Sequence, residues 1–253
     1  ILDNGFWAKN NSEEKPAEGL FVSILVRMED VTAQVNAATK GLEGAEKAAK
    51  YAEVSKEIVA KATAGTGYEA FVRDMFKGNQ YFVFVTEKYT DIRLVGTPPQ
   101  SVGKFGGDTD NWIWPRHTGD FSMFRIYAGK DNKPAAYSKD NVPFTPKRSL
   151  AVSLKGVKEG DFSMVFGYPG RTNRYENSYG IKLAVEKVNP AIVKLRDIRL
   201  KAWKEQMEKS DSVRLLLSSD YANIANYWKY FIGQTEQLKH LKVYDYKKEE
   251  EAK

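Results

Sequence analysis

The hydrophobic pattern of this chain changes its period near residue 185, and this change limits the folds that are open to it. Before that point, short apolar runs are separated by turns that contain glycine or proline, which is typical of antiparallel strands in a barrel or a sandwich. After it, apolar residues recur at helical spacing, from Ile192 to Ala202 and from Leu217 to Phe231, with a break near Ser210. The sequence therefore predicts a mixed β and α protein in which the β part comes first.

One helical segment interrupts the β part. Asp30 can cap a stretch over about 31–65 that is rich in alanine, lysine and glutamate, and Gly41 and Gly44 divide it into two helices. The runs 68–76 and 80–86 predict a hairpin across the turn at 77–79. The strands predicted over the whole β part are 21–28, 68–76, 80–86, 90–95, 121–127, 150–154 and 163–166.

Composition excludes several classes of function. The 253 residues contain no cysteine, so disulfides, thiolate zinc sites and cysteine nucleophiles are absent. The net charge of +6 comes from 39 basic and 33 acidic residues that are interspersed, which favours a mixed solvated surface over a nucleic-acid partner. A basic DNA-binding domain stays open as an alternative that salt-dependent binding would reveal. No apolar run reaches the roughly 18 residues of a membrane-spanning helix.

Both ends of the chain lack the usual signals of a terminus. Residues 1–7 have neither an initiator methionine nor a signal peptide, and residues 247–253 stop in a charged, helix-favouring run. We therefore expect an internal piece of a longer protein.

The segment most suited to chemistry is 106–120, with the sequence GGDTDNWIWPRHTGD. It crowds two tryptophans, acidic groups, an arginine and a histidine into a loop between strands, where functional residues concentrate. Asp108 and Asp110 alone lack the spacing and the closing glutamate of a calcium loop, so we expect no metal and no other cofactor.

Two strands in this region resemble those of chymotrypsin-like proteases. Asp120 opens the run DFSMFRIY at 120–127, which is similar to the strand that carries the catalytic aspartate in that fold. Such a carboxylate is buried beside the catalytic imidazole and fixes its tautomer. The run EGDFSMVFGYPG at 159–170 resembles the strand that opens the second barrel.

Together with 106–122, three further segments resemble the bacterial dipeptidyl-peptidase 7 and 11 family of serine exopeptidases. These segments are DNGFWA at 3–8, VRMEDVT at 26–32 and YANIANYWK at 221–229, and the resemblance runs through the whole chain in collinear order. It implies release of dipeptides from peptides with a free N-terminus. It also implies that Asp120 is the catalytic aspartate.

The resemblance further implies that Asn111 and Asn226 bind the α-amino group of the substrate, while Trp112 and Arg116 shape and brace that pocket. Amide oxygens can accept hydrogen bonds from an ammonium group without adding charge. Taken without their motifs, these residues have ordinary alternatives: Asn226 as a surface residue, Trp112 as core packing, and Arg116 as an ion-pair partner of Asp108 or Asp110.

Two members of the expected catalytic triad are not recognisable here. His117 lies inside the motif of Asp120 and His240 lies late in the helical part, so neither matches the family's catalytic histidine. No glycine-flanked serine loop occurs, and Ser122, Ser163 and Ser178 lie outside such a loop. We expect the histidine upstream and the serine downstream of the chain, which alone would be inactive. The alternative is a noncatalytic module that keeps the amine pocket for peptide binding.

The resemblance thus predicts a partial chymotrypsin-like double β-barrel over 1–180, with the helical insertion at about 31–65, and the start of an α-helical cap over 181–253. It also implies a periplasmic or cell-envelope location in bacteria. Missing strands would leave sheet edges open, at which two copies could pair as a homodimer.

Overall fold

The computed structural model describes residues 1–164, 167 and 173–253. The chain forms two compact units. The first consists of 1–99 and 121–151, and the second of 100–120 and 152–253. The domain boundary that we predicted near residue 180 concerns the larger protein and stays a prediction.

The first unit contains a three-stranded antiparallel sheet covered by two helices. Its strands are β3 (Val22–Asp30), β4 (Glu69–Met75) and β5 (Gln80–Tyr89), in the order β3-β5-β4. The helices are α1 (Thr32–Thr39) and α2 (Gly44–Thr63), and their apolar faces meet β5 in a core of Val35, Val54, Ile58, Val83 and Val85. Asp30 Oδ1 accepts a hydrogen bond from Thr32 N at 2.8 Å, which satisfies one free N–H at the start of α1. The predicted hairpin and both predicted helices are confirmed.

A second antiparallel sheet in the same unit holds five further strands. These are β1 (Phe6–Trp7), β2 (Lys15–Pro16), β6 (Asp91–Thr97), β7 (Met123–Ala128) and β8 (Val142–Pro143). The order is β1-β6-β7-β8, and β2 also pairs with β6. Strands β6 and β7 correspond to the predictions at 90–95 and 121–127, with shifted ends.

The prediction of a strand at 150–154 is wrong. Leu150 and Leu154 are more than nine-tenths exposed and no ladder forms there. Branched apolar residues favour a strand only when a neighbouring strand pairs with them and buries their side chains, and none of the described strands does so here. Ser163 and Met164 form no strand either; the remainder of that predicted strand, 165–166, and most of the turn at 167–170 lie outside the described residues.

In the described part of the second unit, all the regular elements are helical. It contains α3 (Gln100–Gly103), α4 (Gly107–Asp110), α5 (Ser178–Leu183), a π-helical turn (Ala184–Val188), α6 (Asn189–Lys209), α7 (Asp211–His240) and α8 (Val243–Glu251). Ser210 separates α6 from α7, and its hydroxyl accepts from Val213 N, which confirms the predicted break. Because the start of α6 contacts the end of α7, the two helices are antiparallel. None of the helices in the described ranges combines the length and apolarity that crossing a bilayer requires.

The predicted class of mixed β and α structure is confirmed, and all the strand pairs described above are antiparallel. All the described strands belong to the first unit, which also contains the inserted helices α1 and α2. The long helices α6 and α7 belong to the second unit.

Candidate functional site

The loop 106–120 begins with a turn that requires glycine. Gly106 has a φ of +79° and precedes the short helix α4. The carboxylate of Asp110 folds back over Gly106, so a Cβ at this position would collide with it. This turn sets the position from which Asn111 and Trp112 leave α4.

Asn111 meets the helix α7. Its Nδ2 donates to Oδ1 of Asn226 at 3.0 Å, although the two residues lie 115 positions apart in the sequence. Both side chains are half-buried. In the described part of the chain the Oδ1 of Asn111 accepts no hydrogen bond, and the Oδ1 of Asn226 keeps a second lone pair. Two amide oxygens are thus available at one place.

Trp112 is held against the same turn of α7. Its indole Nε1 donates to the backbone oxygen of Asn226 at 3.1 Å, and its ring lies 5.4 Å from that of Tyr230. The backbone of Trp112 is left-handed, with a φ of +63°, which costs a bulky residue about 1 kcal/mol or more. The contacts with Asn226 and Tyr230 compensate for this cost. Lys229 Nζ also donates to Thr109 O at 3.2 Å.

The acidic side of the loop affects the first half of α7. The pKa of Tyr221 is raised, first by burial and then by the carboxylates of Asp108 and Glu208. Asp108 itself pairs with Lys104 at 2.8 Å. The predicted alternative, an ion pair of Arg116 with Asp108 or Asp110, is not observed among the described residues.

Asp120 and Arg116 are both exposed. The part of the chain that the structure describes does not form the dry environment that we expected around the Asp120 carboxylate. The backbone just before it is anchored, since Gly119 N donates to Val102 O at 3.0 Å. The structure thus brings together Asn111, Trp112 and Asn226, and leaves Arg116 and Asp120 at the surface of this chain.

Tyr230 was missed by the sequence analysis. It lies one helical turn after Asn226, so its side chain points along the same face of α7. That spacing was the signal that could have found it. Among the residues that the structure describes, no three histidine, aspartate or glutamate side chains group as metal ligands would.

Comparison with known proteins identifies the family of this chain. The sequence profile described as Peptidase S46 matches residues 1–253. The chain belongs to the peptidase S46 family. An Asp/Glu-specific dipeptidyl-peptidase from Capnocytophaga gingivalis is 49% identical over the whole chain, which covers 36% of that protein. Dipeptidyl-peptidase 7 from the same organism is 44% identical over the whole chain, which covers 35% of it.

A solved structure agrees with this assignment. The crystal structure of Porphyromonas endodontalis DPP11 in complex with the dipeptide Arg-Asp matches 97% of the chain with a TM-score of 0.90 and 36% identity. The chain covers 36% of that structure. The predicted resemblance to the dipeptidyl-peptidase 7 and 11 family is confirmed, and the chain spans about a third of the length of these curated relatives.

Proposed function

We propose that this S46 chain is part of a serine-type dipeptidyl-peptidase that releases dipeptides from peptides with a free N-terminus. The observation that carries the proposal is the hydrogen bond between Asn111 and Asn226, which joins two family motifs from distant parts of the sequence. The crystal structure of DPP11 with a dipeptide supports a peptide ligand for the family.

The two asparagines form the recognition site for the substrate ammonium group. A charged ammonium removed from water needs acceptors, and an unpaired one is costly. The free Oδ1 of Asn111 and the second lone pair of Asn226 Oδ1 supply such acceptors without a competing charge. Trp112 walls the pocket and Arg116 braces it, in the roles that the family motif implies.

Asp120 acts as the aspartate of a Ser-His-Asp triad. Its carboxylate orients a histidine, which takes the proton of the serine hydroxyl as the oxygen attacks the scissile carbonyl and then passes it to the leaving amine. Water hydrolyses the acyl-enzyme that results, and an oxyanion hole stabilises the charge that develops. The histidine, the serine and the oxyanion hole come from parts of the protein outside these residues, and the same parts bury Asp120.

The antiparallel strands of the first unit belong, in this proposal, to a chymotrypsin-like double β-barrel, and residues 181–253 begin the helical cap. In this proposal the enzyme acts in the bacterial periplasm or cell envelope. Pairing of exposed sheet edges would support a homodimer. Preference at the second substrate residue depends on residues outside this chain.

A second candidate keeps the pocket without the catalysis. In a noncatalytic peptide-binding module, Asn111 and Asn226 would bind the same ammonium group while Asp120 stayed solvated, as it is in this chain. The two candidates differ in turnover, because only the peptidase consumes the peptide.

The test of the pocket is Asn226→Ala in a full-length peptidase that contains this chain. Loss of one hydrogen bond to a charged group should raise the KM for substrates with a free N-terminus about tenfold or more. Asn223→Ala is the matched control, because Asn223 is exposed on the same helix. If the unaltered enzyme cleaved free and N-acetylated peptides equally well, the amine pocket would be excluded.

A further inference from the structure

Tyr230 connects the candidate pocket to the seam between α6 and α7. On one side its ring lies against Trp112, at 5.4 Å and 56°. On the other side its hydroxyl accepts a hydrogen bond from Nε2 of Gln234 at 2.7 Å. A tyrosine that is held at both its ring and its hydroxyl has little freedom to rotate.

Gln234 is itself fixed by a buried partner on the neighbouring helix. Its Oε1 accepts from Nδ2 of Asn189 at 3.0 Å, and the same Nδ2 donates to Thr235 Oγ1 at 3.1 Å. Asn189 is only 2% exposed. Polar groups buried to this extent are strongly held to their partners, because an unsatisfied amide is costly.

The backbone of Asn189 is held in place as well. Pro190 follows it and has no N–H, and a proline ring inside a helix clashes with the carbonyl one turn earlier. The chain accommodates this with the wide π-helical turn at 184–188, in which Asn189 N donates to Ala184 O. Asn189 is thus fixed by its backbone as well as by its side chain.

We propose that Gln234 is a positioning residue for substrate-amine recognition, acting through Tyr230 on Trp112. The proposal rests on the function proposed above. Trp112 has a left-handed backbone, and its indole N–H donates a hydrogen bond to the backbone oxygen of Asn226. Because that conformation is intrinsically unfavourable, the loop stays in place only while its contacts with α7 persist. Gln234 secures the Tyr230 contact from the side opposite the pocket.

A purely structural role in joining the two helices would make a different prediction. Thr235 accepts from the same Asn189 nitrogen but has no bond to Tyr230 among the described residues, so it provides a matched comparison. Removing either side chain's bond to Asn189 weakens the seam. Only removal of the Gln234 amide also releases Tyr230.

The experiment compares Gln234→Leu with Thr235→Val in a full-length peptidase that contains this chain, using dipeptidyl fluorogenic substrates with a free N-terminus. Gln234→Leu should raise KM about fivefold, the factor that corresponds to one net hydrogen bond, with kcat changed less than about twofold. Thr235→Val should lower the melting temperature without changing KM. Tyr230→Phe removes the hydroxyl but keeps the ring, and should raise KM by the same factor. It therefore tests the proposal even where Gln234→Leu does not fold.

The KM of the double variant Gln234→Leu/Tyr230→Phe should be no higher than that of either single variant, because both substitutions break the same hydrogen bond. Equal KM changes in Gln234→Leu and Thr235→Val, or none in Gln234→Leu and Tyr230→Phe, would overturn the positioning role. Asn226→Ala in the same assay separates the two proposals. If it raises KM while Gln234→Leu does not, only the positioning role fails; if it has no effect, both fail.

Discussion

Amide side chains form hydrogen bonds with each other at two places in the helical unit. Asn111 and Asn226 share a hydrogen bond in the pocket, and Asn189 and Gln234 share one at the α6–α7 seam. An amide both donates and accepts, so one side chain can bind its neighbour and still offer an acceptor to a ligand. Carboxylates in the pocket would bind ammonium more strongly, but two of them at this distance would repel each other.

At Asp120 the proposed role and the observed environment lead to a direct prediction. Asp120→Asn in the full-length peptidase should lower kcat by about 10⁴-fold, because the amide favours the wrong tautomer of the catalytic imidazole. The circular dichroism spectrum should not change, since asparagine has nearly the same size and shape as aspartate and leaves the local geometry intact. The measurement is steady-state turnover of a dipeptidyl substrate. Asp140→Asn alters another exposed aspartate and should leave kcat unchanged; near-normal turnover of Asp120→Asn would remove it from the triad.

A buried aspartate in the first unit predicts how stability depends on pH. Asp91 is 1% exposed and accepts hydrogen bonds from Arg93 Nε at 2.9 Å and from Asn141 Nδ2 at 2.9 Å. Burial alone would raise the pKa of Asp91, but the hydrogen bonds from Arg93 and Asn141 outweigh it and lower the pKa. A lowered pKa in the folded state means that the stabilisation is present above the ordinary aspartate pKa and is lost as the pH falls through the folded value.

Asp91→Asn should therefore lower the free energy of unfolding at pH 7 by about 3 kcal/mol, because it leaves the Arg93 guanidinium buried without its carboxylate. The difference from the unaltered protein should shrink below about pH 4. Urea unfolding at several pH values measures this. Asp74→Asn, on an exposed side chain of β4, is the control. A difference that stayed constant with pH would contradict the ionic explanation.

At the scale of elements, strand β1 depends on one glycine in its partner. The ring of Trp7 packs over Gly96 of β6, where an added Cβ would collide with it. Trp7 also contacts Phe121, with ring centroids 6.0 Å apart. Phe121 follows Asp120 in the sequence, so this packing fixes the chain at the exit from the loop.

Gly96→Ala should consequently destabilise the protein by about 1–3 kcal/mol, the usual cost of inserting a methyl group into a filled space. Gly67→Ala is a suitable control, because an added Cβ there would meet nothing within 4 Å. The control should be neutral or slightly stabilising, since alanine restricts the unfolded chain. Differential scanning calorimetry measures the melting temperatures of both variants. Equal values for Gly96→Ala and Gly67→Ala would contradict the packing of Trp7 on Gly96.

Local signals predicted most elements, and pairing decided the rest. The helices at 31–65 and the hairpin at 68–86 follow from periodicity and turn residues, which act within a few positions. The strand predicted at 150–154 does not form, because a strand needs a pairing partner that its own residues do not specify. Pro190 could have indicated the π-helical turn before α6, because proline lacks a backbone N–H. The spacing of apolar residues alone does not reveal that.

Of the predicted site residues, Asn111 and Trp112 both contact Asn226. Their binding of a substrate amine stays a prediction. No spacing rule would have brought together residues 115 positions apart, because that distance is closed by tertiary packing. Gln234 escaped notice for the same reason, since its contact with Asn189 joins α7 to α6. Tyr230 could have been found from its spacing to Asn226 on α7.

For the whole molecule, the catalytic serine should lie outside these 253 residues. Here the chain covers about a third of its curated relatives, and its described loops hold no glycine-flanked serine. A fluorophosphonate probe phosphonylates an activated serine as its fluoride leaves. Labelling of the full-length peptidase followed by peptide mapping should therefore find the adduct on a serine downstream of this segment. Asp120→Asn should slow the labelling by orders of magnitude, because serine activation requires an oriented imidazole. An adduct on Ser122, Ser163 or Ser178 would place the nucleophile inside the chain, while a full-length protein with neither labelling nor turnover would favour the noncatalytic peptide-binding module.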